Sequence, residues 1–414
     1  MLRTPFRPTL LAVISIAPLV GAARAGEKPE ALLATSFETP PTMAGWWRGA
    51  YPFEKLDAAW IDSTSADGRH ALEVTTGWWA GPRMEVKPLQ YYRLRFKSTV
   101  EGKGYWMAQF YDGEGQLLDA DHYSSIYPSD EWQQYEFCFR ARFKAATAEV
   151  RFRAMWAPIY VDDVVVEPVS RPEVAQWADR VYATMPPVDV AAVPRAGRYL
   201  RRTLEKLRRG ETVRIVMLGD SVANDTGNSA YDVLIERMYP GARVELITSV
   251  RGGTGCTYYR DENRVKPYVL DYEPDLLVIA GISHASDVEA VRSVIRQVRA
   301  VRDPDILLLS GAVSPPMDLA TAFRHLPERQ RREQIRRAEG YRPGLAKLAE
   351  QEKVAYLDMR HFWNAYVEKI RRHPMWLRRD HVHANARGRQ VLARVLEAYF
   401  APPRKRPETA TPAG

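Results

Sequence analysis

VRIVMLGDSVANDTGNS, residues 213–229, is the stretch on which the fold turns. The unbroken apolar run Ile215-Val216-Met217-Leu218 reads as a strand buried on both faces, because a half-exposed strand would alternate. It stops at Gly219-Asp220-Ser221, and the polar residues that follow suit the start of a helix. A buried strand that ends on an acid and a hydroxyl presents Ser221 at its tip. That serine is a nucleophile only if a base elsewhere in the chain takes its proton.

Working outward, the same rhythm of apolar strand then helix continues to the C-terminus. VRIVMLG (213–219), RVELITSV (243–250), DLLVIAG (275–281), DILLLSG (305–311) and VAYLD (354–358) read as strands. Helical stretches lie at about 229–239, 286–302 and 328–352, and a last helix runs from Arg387 to Tyr399. The pattern predicts an α/β domain over residues 211–401, a parallel sheet covered on both faces. Sites in such sheets lie at the carboxyl ends of strands. Gly219-Asp220-Ser221, Arg251-Gly252-Gly253 and Gly281-Ile282-Ser283 all fall at such ends.

Residues 31–168 have a different periodicity. YYRLRFKSTV, YWMAQFYD, QQYEFCFRARF, AEVRFRAMW and IYVDDVVVE alternate over short runs between polar or Gly-containing turns. They predict an all-β antiparallel sandwich of jelly-roll type. Eight of the 11 tryptophans fall here: Trp46, Trp47, Trp60, Trp78, Trp79, Trp106, Trp132 and Trp156. Flat rings stack well on sugars, although most such rings serve a core. The pairs Trp46-Trp47 and Trp78-Trp79 stand out, because neighbours on a strand point to opposite faces and do not fit one core. At least one ring of each pair is expected at the surface, and all four are candidate glycan contacts. Residues 169–210 read as a helical connector with a Pro-containing break.

The chain has 414 residues, 46% hydrophobic and 27% charged, enough for two domains with ample core. Arg3 and Arg7 precede an apolar run from Leu10 to Val20, and Ala23-Arg24-Ala25 fits a small-x-small cleavage site. Residues 1–25 therefore read as a signal peptide cleaved after Ala25, which implies a secreted or periplasmic protein with no integral membrane span in the mature chain. Removing Arg3, Arg7 and Arg24 lowers the net charge from +8 to +5, a balance that does not single out nucleic acid. The arginine-rich 324–340 stretch reads as a solvated helix face, and residues 402–414 as a disordered tail. Cys138 and Cys256 fall in separate domains and read as free thiols without metal-site spacing.

The base for Ser221 is found in RRDHVHANARG, residues 378–388, just before the last helix. His383 has Asp380 three residues earlier, close enough to orient its imidazole. His381-x-His383 with Asp380 as a metal site is disfavoured, since alternate residues of an extended segment diverge. Gly252-Gly253-Thr254-Gly255 lacks the lysine and spacing of a phosphate loop.

"GDS" after the first strand of a parallel sheet, with "DxxHxNxxG" near the C-terminus, resembles the SGNH (GDSL-type) hydrolase superfamily over roughly residues 210–400. The resemblance implies a flavodoxin-like, three-layer, five-stranded domain and a Ser-His-Asp esterase without metal or cofactor. It implies that Ser221 is the nucleophile, His383 the base and Asp380 its orienting acid. It also implies that the Gly253 and Ser221 N–H groups form an oxyanion hole. The superfamily's G-x-N-D is here Gly281-Ile282-Ser283-His284, so a serine stands where the third oxyanion donor is expected. Ser283 itself or Asn224 is the candidate donor, with a helix cap as the plain alternative for Asn224. His284 either lines the pocket or is a satisfied loop histidine. An exported hydrolase beside a Trp-rich sandwich suggests removal of O-acetyl groups from a polysaccharide. Alternatives are a lipolytic esterase, an O-acetyltransferase, or a glycan-binding protein whose hydrolase domain is impaired.

Overall fold

The computed structural model describes residues 30–119, 121–155, 157–313 and 324–402. The stretch read as a signal peptide, the Trp156 ring and residues 403–414 of the expected tail lie outside the described residues.

The N-terminal half forms two facing antiparallel sheets of six strands each. In the first, Ser129–Arg140, Tyr91–Val100, Ile159–Val169, Ala71–Thr76 and Asp57–Ile61 lie side by side, and Leu33–Thr35 pairs with Ile159–Val169. In the second the order is Trp47–Gly49, Trp78–Ala80, Thr147–Met155, Lys103–Tyr111, His122–Ile126, with Met84–Glu85 also on Thr147–Met155. Burial alternates along Tyr91–Val100, so every second side chain enters the core between the sheets.

The C-terminal half is a five-stranded parallel sheet. Its spatial order is Arg243–Val250, Thr212–Gly219, Leu276–Ile279, Asp305–Leu309, Ala355–Leu357, that is, 2-1-3-4-5 in chain order. The order reverses beside Thr212–Gly219, and such a switch point opens a crevice at the carboxyl ends of the strands. Alternate residues of that central strand serve opposite faces. Val216 and Leu218 pack under the helices Val288–Arg299 and Glu328–Glu352, whereas Val213, Ile215 and Met217 face the helices Tyr231–Met238 and Ala386–Phe400.

That second cluster runs without a break into the sandwich core. The helix Arg171–Ala183, opened by a Ser170–Glu173 capping box, buries Val174, Trp177 and Ala178 in it. The stretch read as a connector is therefore built into the shared core. Polar groups add to the junction: Asp232, fully buried, accepts from Tyr91 Oη at 2.6 Å and from Arg171 Nη2 at 2.8 Å, and pairs with Arg140 at 3.2 Å.

Candidate active site

Ser221 sits where the strand Thr212–Gly219 turns into the helix Ser221–Gly227. Asp220 is the N-cap, and its Oδ1 accepts the Val222 and Ala223 N–H groups at 2.9 and 3.2 Å. Its Oδ2 accepts those of Ile282 and Ser283, both at 2.7 Å. One carboxylate thus ties the serine turn to the end of the neighbouring strand. The two segments approach so closely that a Cβ on Gly219 would stand 2.1 Å from the Ala280 carbonyl oxygen. Gly281, at φ +112°, could not carry a Cβ either, because it would meet Asp220 at 2.5 Å.

The loop before the last helix brings the other partners. His383 Nε2 lies 2.7 Å from Ser221 Oγ, and His383 Nδ1 lies 2.7 and 2.9 Å from the two Asp380 oxygens. With Nδ1 donating to the carboxylate, Nε2 is left as the acceptor for the serine hydroxyl. Burial alone would raise the Asp380 carboxyl. The bonds from His383 and the Val382 amide, with the charges of His383 and Arg379, hold it well below the usual carboxylate range. Both ring nitrogens of His383 are engaged, Nδ1 by Asp380 and Nε2 by Ser221. Among the described residues no group of three or more metal-ligating side chains gathers. Asn385 fixes the loop from behind: its Oδ1 accepts the Gly388 N–H and its Nδ2 donates to carbonyls of Met375, Trp376 and Arg378.

The expected oxyanion groups are placed as follows. Asp220 takes the second and third N–H groups of the serine helix, and among the described residues the Ser221 N–H has no intramolecular acceptor. Gly253 lies in the turn after Arg243–Val250 at φ +67°, with open space where a Cβ would be. Ser283 keeps its backbone N–H on Asp220, which ties it to the serine turn.

Two of the expected site residues need correction. Asn224 is buried in the domain junction, donating to the Asp121 carbonyl at 2.8 Å and accepting from Arg142 at 2.9 Å, so its amide is committed to the interface. His284 is buried: its Nδ1 accepts the Cys256 N–H at 3.1 Å and its Nε2 stands 3.0 Å from the Ala280 carbonyl. Burial lowers its basicity, so the neutral ring is a strut between two loops, the satisfied histidine of the two readings.

The tryptophan pairs also divide. Trp46 and Trp79 are each 2% exposed in the sandwich core, which removes them as sugar contacts. Trp47 is 41% exposed on the outer face of the second sheet. Trp78 shares that face, but Trp47, Tyr51 and Arg151 cover its ring, so the expectation of an exposed member fails for the second pair.

Sequence reasoning missed a second ring of residues around the histidine loop. Asp225, one helical turn after Ser221 and fully buried, accepts from Arg379 Nη1 at 2.5 Å, Arg389 Nη2 at 2.8 Å and the Ala384 N–H at 2.9 Å. The sandwich reaches the same loop. Lys103 Nζ and Tyr105 Oη both donate to the Arg379 carbonyl, and Arg389 donates to His122 Nε2 at 2.8 Å. The i+4 spacing of Ser221 and Asp225 was visible in the sequence. Nothing local marks Lys103 or Tyr105, which act across 276 and 274 residues.

No family model matches the chain, and no curated protein sequence matches it. Solved structures do resemble it. A two-domain esterase active on acetylated mannans, co-crystallised with mannopentaose, aligns at 17% identity and TM-score 0.40, covering 54% of this chain and 61% of that one. The acetyl xylan esterase AlAXEase aligns at 22% identity and TM-score 0.35, covering 44% of this chain and 98% of that one. The CBM22-1 xylan-binding domain from Paenibacillus barcinonensis Xyn10C aligns at 14% identity and TM-score 0.28, covering 35% of this chain and 99% of its own. The chain thus spans about three fifths of the mannan esterase's length. Among the described residues no helix is long and apolar enough to cross a membrane.

Proposed function

We propose that the chain is an exported serine esterase of the SGNH type that removes O-acetyl groups from a polysaccharide. The observation that carries this reading is the continuous relay of Ser221 Oγ, His383 and Asp380, each contact at 2.7 Å, at the carboxyl edge of a parallel sheet. His383 Nε2 takes the proton of Ser221 as Oγ attacks the acyl carbon. The negative charge that develops on the carbonyl oxygen is held by the Ser221 and Gly253 N–H groups. His383 then gives the proton to the departing sugar hydroxyl, leaving an acetyl-enzyme. A water deprotonated by the same imidazole attacks that ester, and acetate leaves as Ser221 recovers its proton. Asp380 stays ionised throughout and stabilises the imidazolium. No metal or cofactor enters these steps.

A second reading, a glycan-binding protein with an impaired hydrolase domain, is favoured by one observation, the Ser283 hydroxyl in place of a longer amide. Loss of a single oxyanion donor costs about 10²–10³ in rate. A fluorophosphonate probe separates the two, because it reports an activated serine without a known substrate. Labelling of the wild type that vanishes in Ser221→Ala, with acetate release from acetylated xylan or mannan, supports the esterase. Equal labelling of both proteins refutes it.

A further inference from the structure

Among the described residues, five of the ten exposed large hydrophobic side chains fall in one short segment: Met43, Trp47, Tyr51, Phe53 and Leu56. An exposed apolar patch so concentrated marks a binding surface. Its geometry is that of a flat platform. The Tyr51 and Phe53 rings are stacked at 5.6 Å with an interplanar angle of 6°, and Phe53 is 84% exposed. Trp78 supports them from below, with Tyr51 at 5.4 Å and Trp47 at 6.2 Å, both edge-on.

The strand register shows where this platform leads. Gly49, Trp78, Arg153, Tyr105 and Ser125 stand opposite one another across five strands, so their side chains share the outer face in a single row. Trp78 and Tyr105 are two strand spacings apart, about 10 Å. Tyr105 Oη then donates at 3.0 Å to the carbonyl of Arg379, the residue before the triad acid. Trp78 and Tyr105 are buried, so this row is the footing on which the exposed aromatic platform and the catalytic loop both rest.

Its polar groups identify the occupant. Arg151 lies 5.1 and 5.2 Å from the Trp47 and Trp78 rings, and Arg153 lies 4.7 Å from Tyr51. Each guanidinium is already neutralised, Arg151 by Glu149 and Arg153 by Glu54. The face therefore offers flat rings and N–H donors with little net charge. A polyanion needs uncompensated cations, whereas a neutral pyranose chain presents apolar C–H faces between hydroxyls.

We propose that this outer face binds a neutral polysaccharide, laid over Phe53, Tyr51 and Trp47 and past Arg153 toward the histidine loop, with its esterified sugar at Ser221. The inference rests on the esterase reading and adds the subsites that select a polymer. Residues Tyr51, Phe53, Arg151 and Arg153 are assigned to binding, together with Trp47.

The test uses the full chain carrying Ser221→Ala, titrated with xylo-, manno- and cellohexaose and followed by tryptophan fluorescence and calorimetry. At least one hexaose should bind, and its disaccharide at least about tenfold more weakly. Adding Trp47→Ala and Phe53→Ala should weaken hexaose binding about tenfold or more, and Phe53→Ala alone, at a side chain 84% exposed, should weaken it severalfold with the melting temperature unchanged. Kd should stay within about twofold between roughly 50 and 500 mM NaCl. Failure of every hexaose to bind, an unchanged Kd in the double variant, or a steep salt dependence overturns the proposal. So does sedimentation showing that these substitutions dissociate a dimer, which would make the occupant a second copy of the chain. Fluorophosphonate labelling of the wild type is read separately. Labelling without hexaose binding refutes the platform alone, and binding without labelling refutes the esterase.

Discussion

Asp225→Asn is the substitution that best separates architecture from chemistry. The residue touches none of the triad, yet its two oxygens hold Arg379, Arg389 and the amide next to His383. The change preserves shape and removes the one negative charge between two buried guanidiniums. Removing one partner of a buried ion pair costs about 3–5 kcal/mol, because the charge left behind is uncompensated. The same change loosens Ala384, and a displacement of the imidazole by about 1 Å costs about 10²-fold in rate. Turnover of p-nitrophenyl acetate should therefore fall about 10²-fold with KM within about twofold, since the acyl pocket is untouched. Urea unfolding should shift to lower midpoint, in contrast to Ser221→Ala, which should unfold as the wild type does and show no turnover. A variant with kcat within about threefold of wild type and an unshifted midpoint would refute the claim that Asp225 positions the histidine loop.

Four further outcomes are expected. Asp380→Asn should lower kcat about 10⁴-fold by releasing the imidazole tautomer, measured on the same small ester. Tyr105→Phe removes one hydrogen bond to the Arg379 carbonyl, worth about 1 kcal/mol, and should lower kcat about fivefold although the residue belongs to the other domain. Ser283→Asn should raise kcat at least about tenfold if the third oxyanion donor limits the rate, and steady-state kinetics decide it. For pH, the folded-state carboxyl of Asp380 lies below its unfolded value, so its contribution to stability is whole above the ordinary value of about 4. That contribution is lost as the pH falls through the folded value. The stability gap between wild type and Asp380→Asn in urea melts should accordingly narrow below about pH 4.

The parallel sheet was legible because its central strands are solid apolar runs and strand and helix alternate along the chain. Arg243–Val250 has the expected ends, and Thr212–Gly219 gains one residue. DLLVIAG shrinks to Leu276–Ile279 because Gly281, at φ +112°, leaves the ladder. Ser221, His383 and Asp380 could be read because each carries its own local context, a strand end or an i,i+3 pair. The fate of Asn224 could not, since its partners Asp121 and Arg142 lie 103 and 82 residues away in the other domain. For His284 the sequence left two readings open, because its acceptor and donor are backbone groups that only the folded loops bring together. Alternation placed Trp78 and Trp79 on opposite faces, but it carried no information about Tyr51 and Arg151 covering Trp78.

Cys138 and Cys256, the only two cysteines, are unpaired and fully enclosed, one in each domain, and burial pushes both thiols well above the ordinary range. Thiolate is the reactive form, so both are inert to alkylating reagents in the native state. The protein can accordingly be produced in a reducing cytoplasm without cross-linking, and it offers a silent background for labelling. A single cysteine introduced at an exposed site such as Gly252 would be the one reactive thiol. A fluorophore there would report from the turn that carries Gly253, without disturbing either native sulfur.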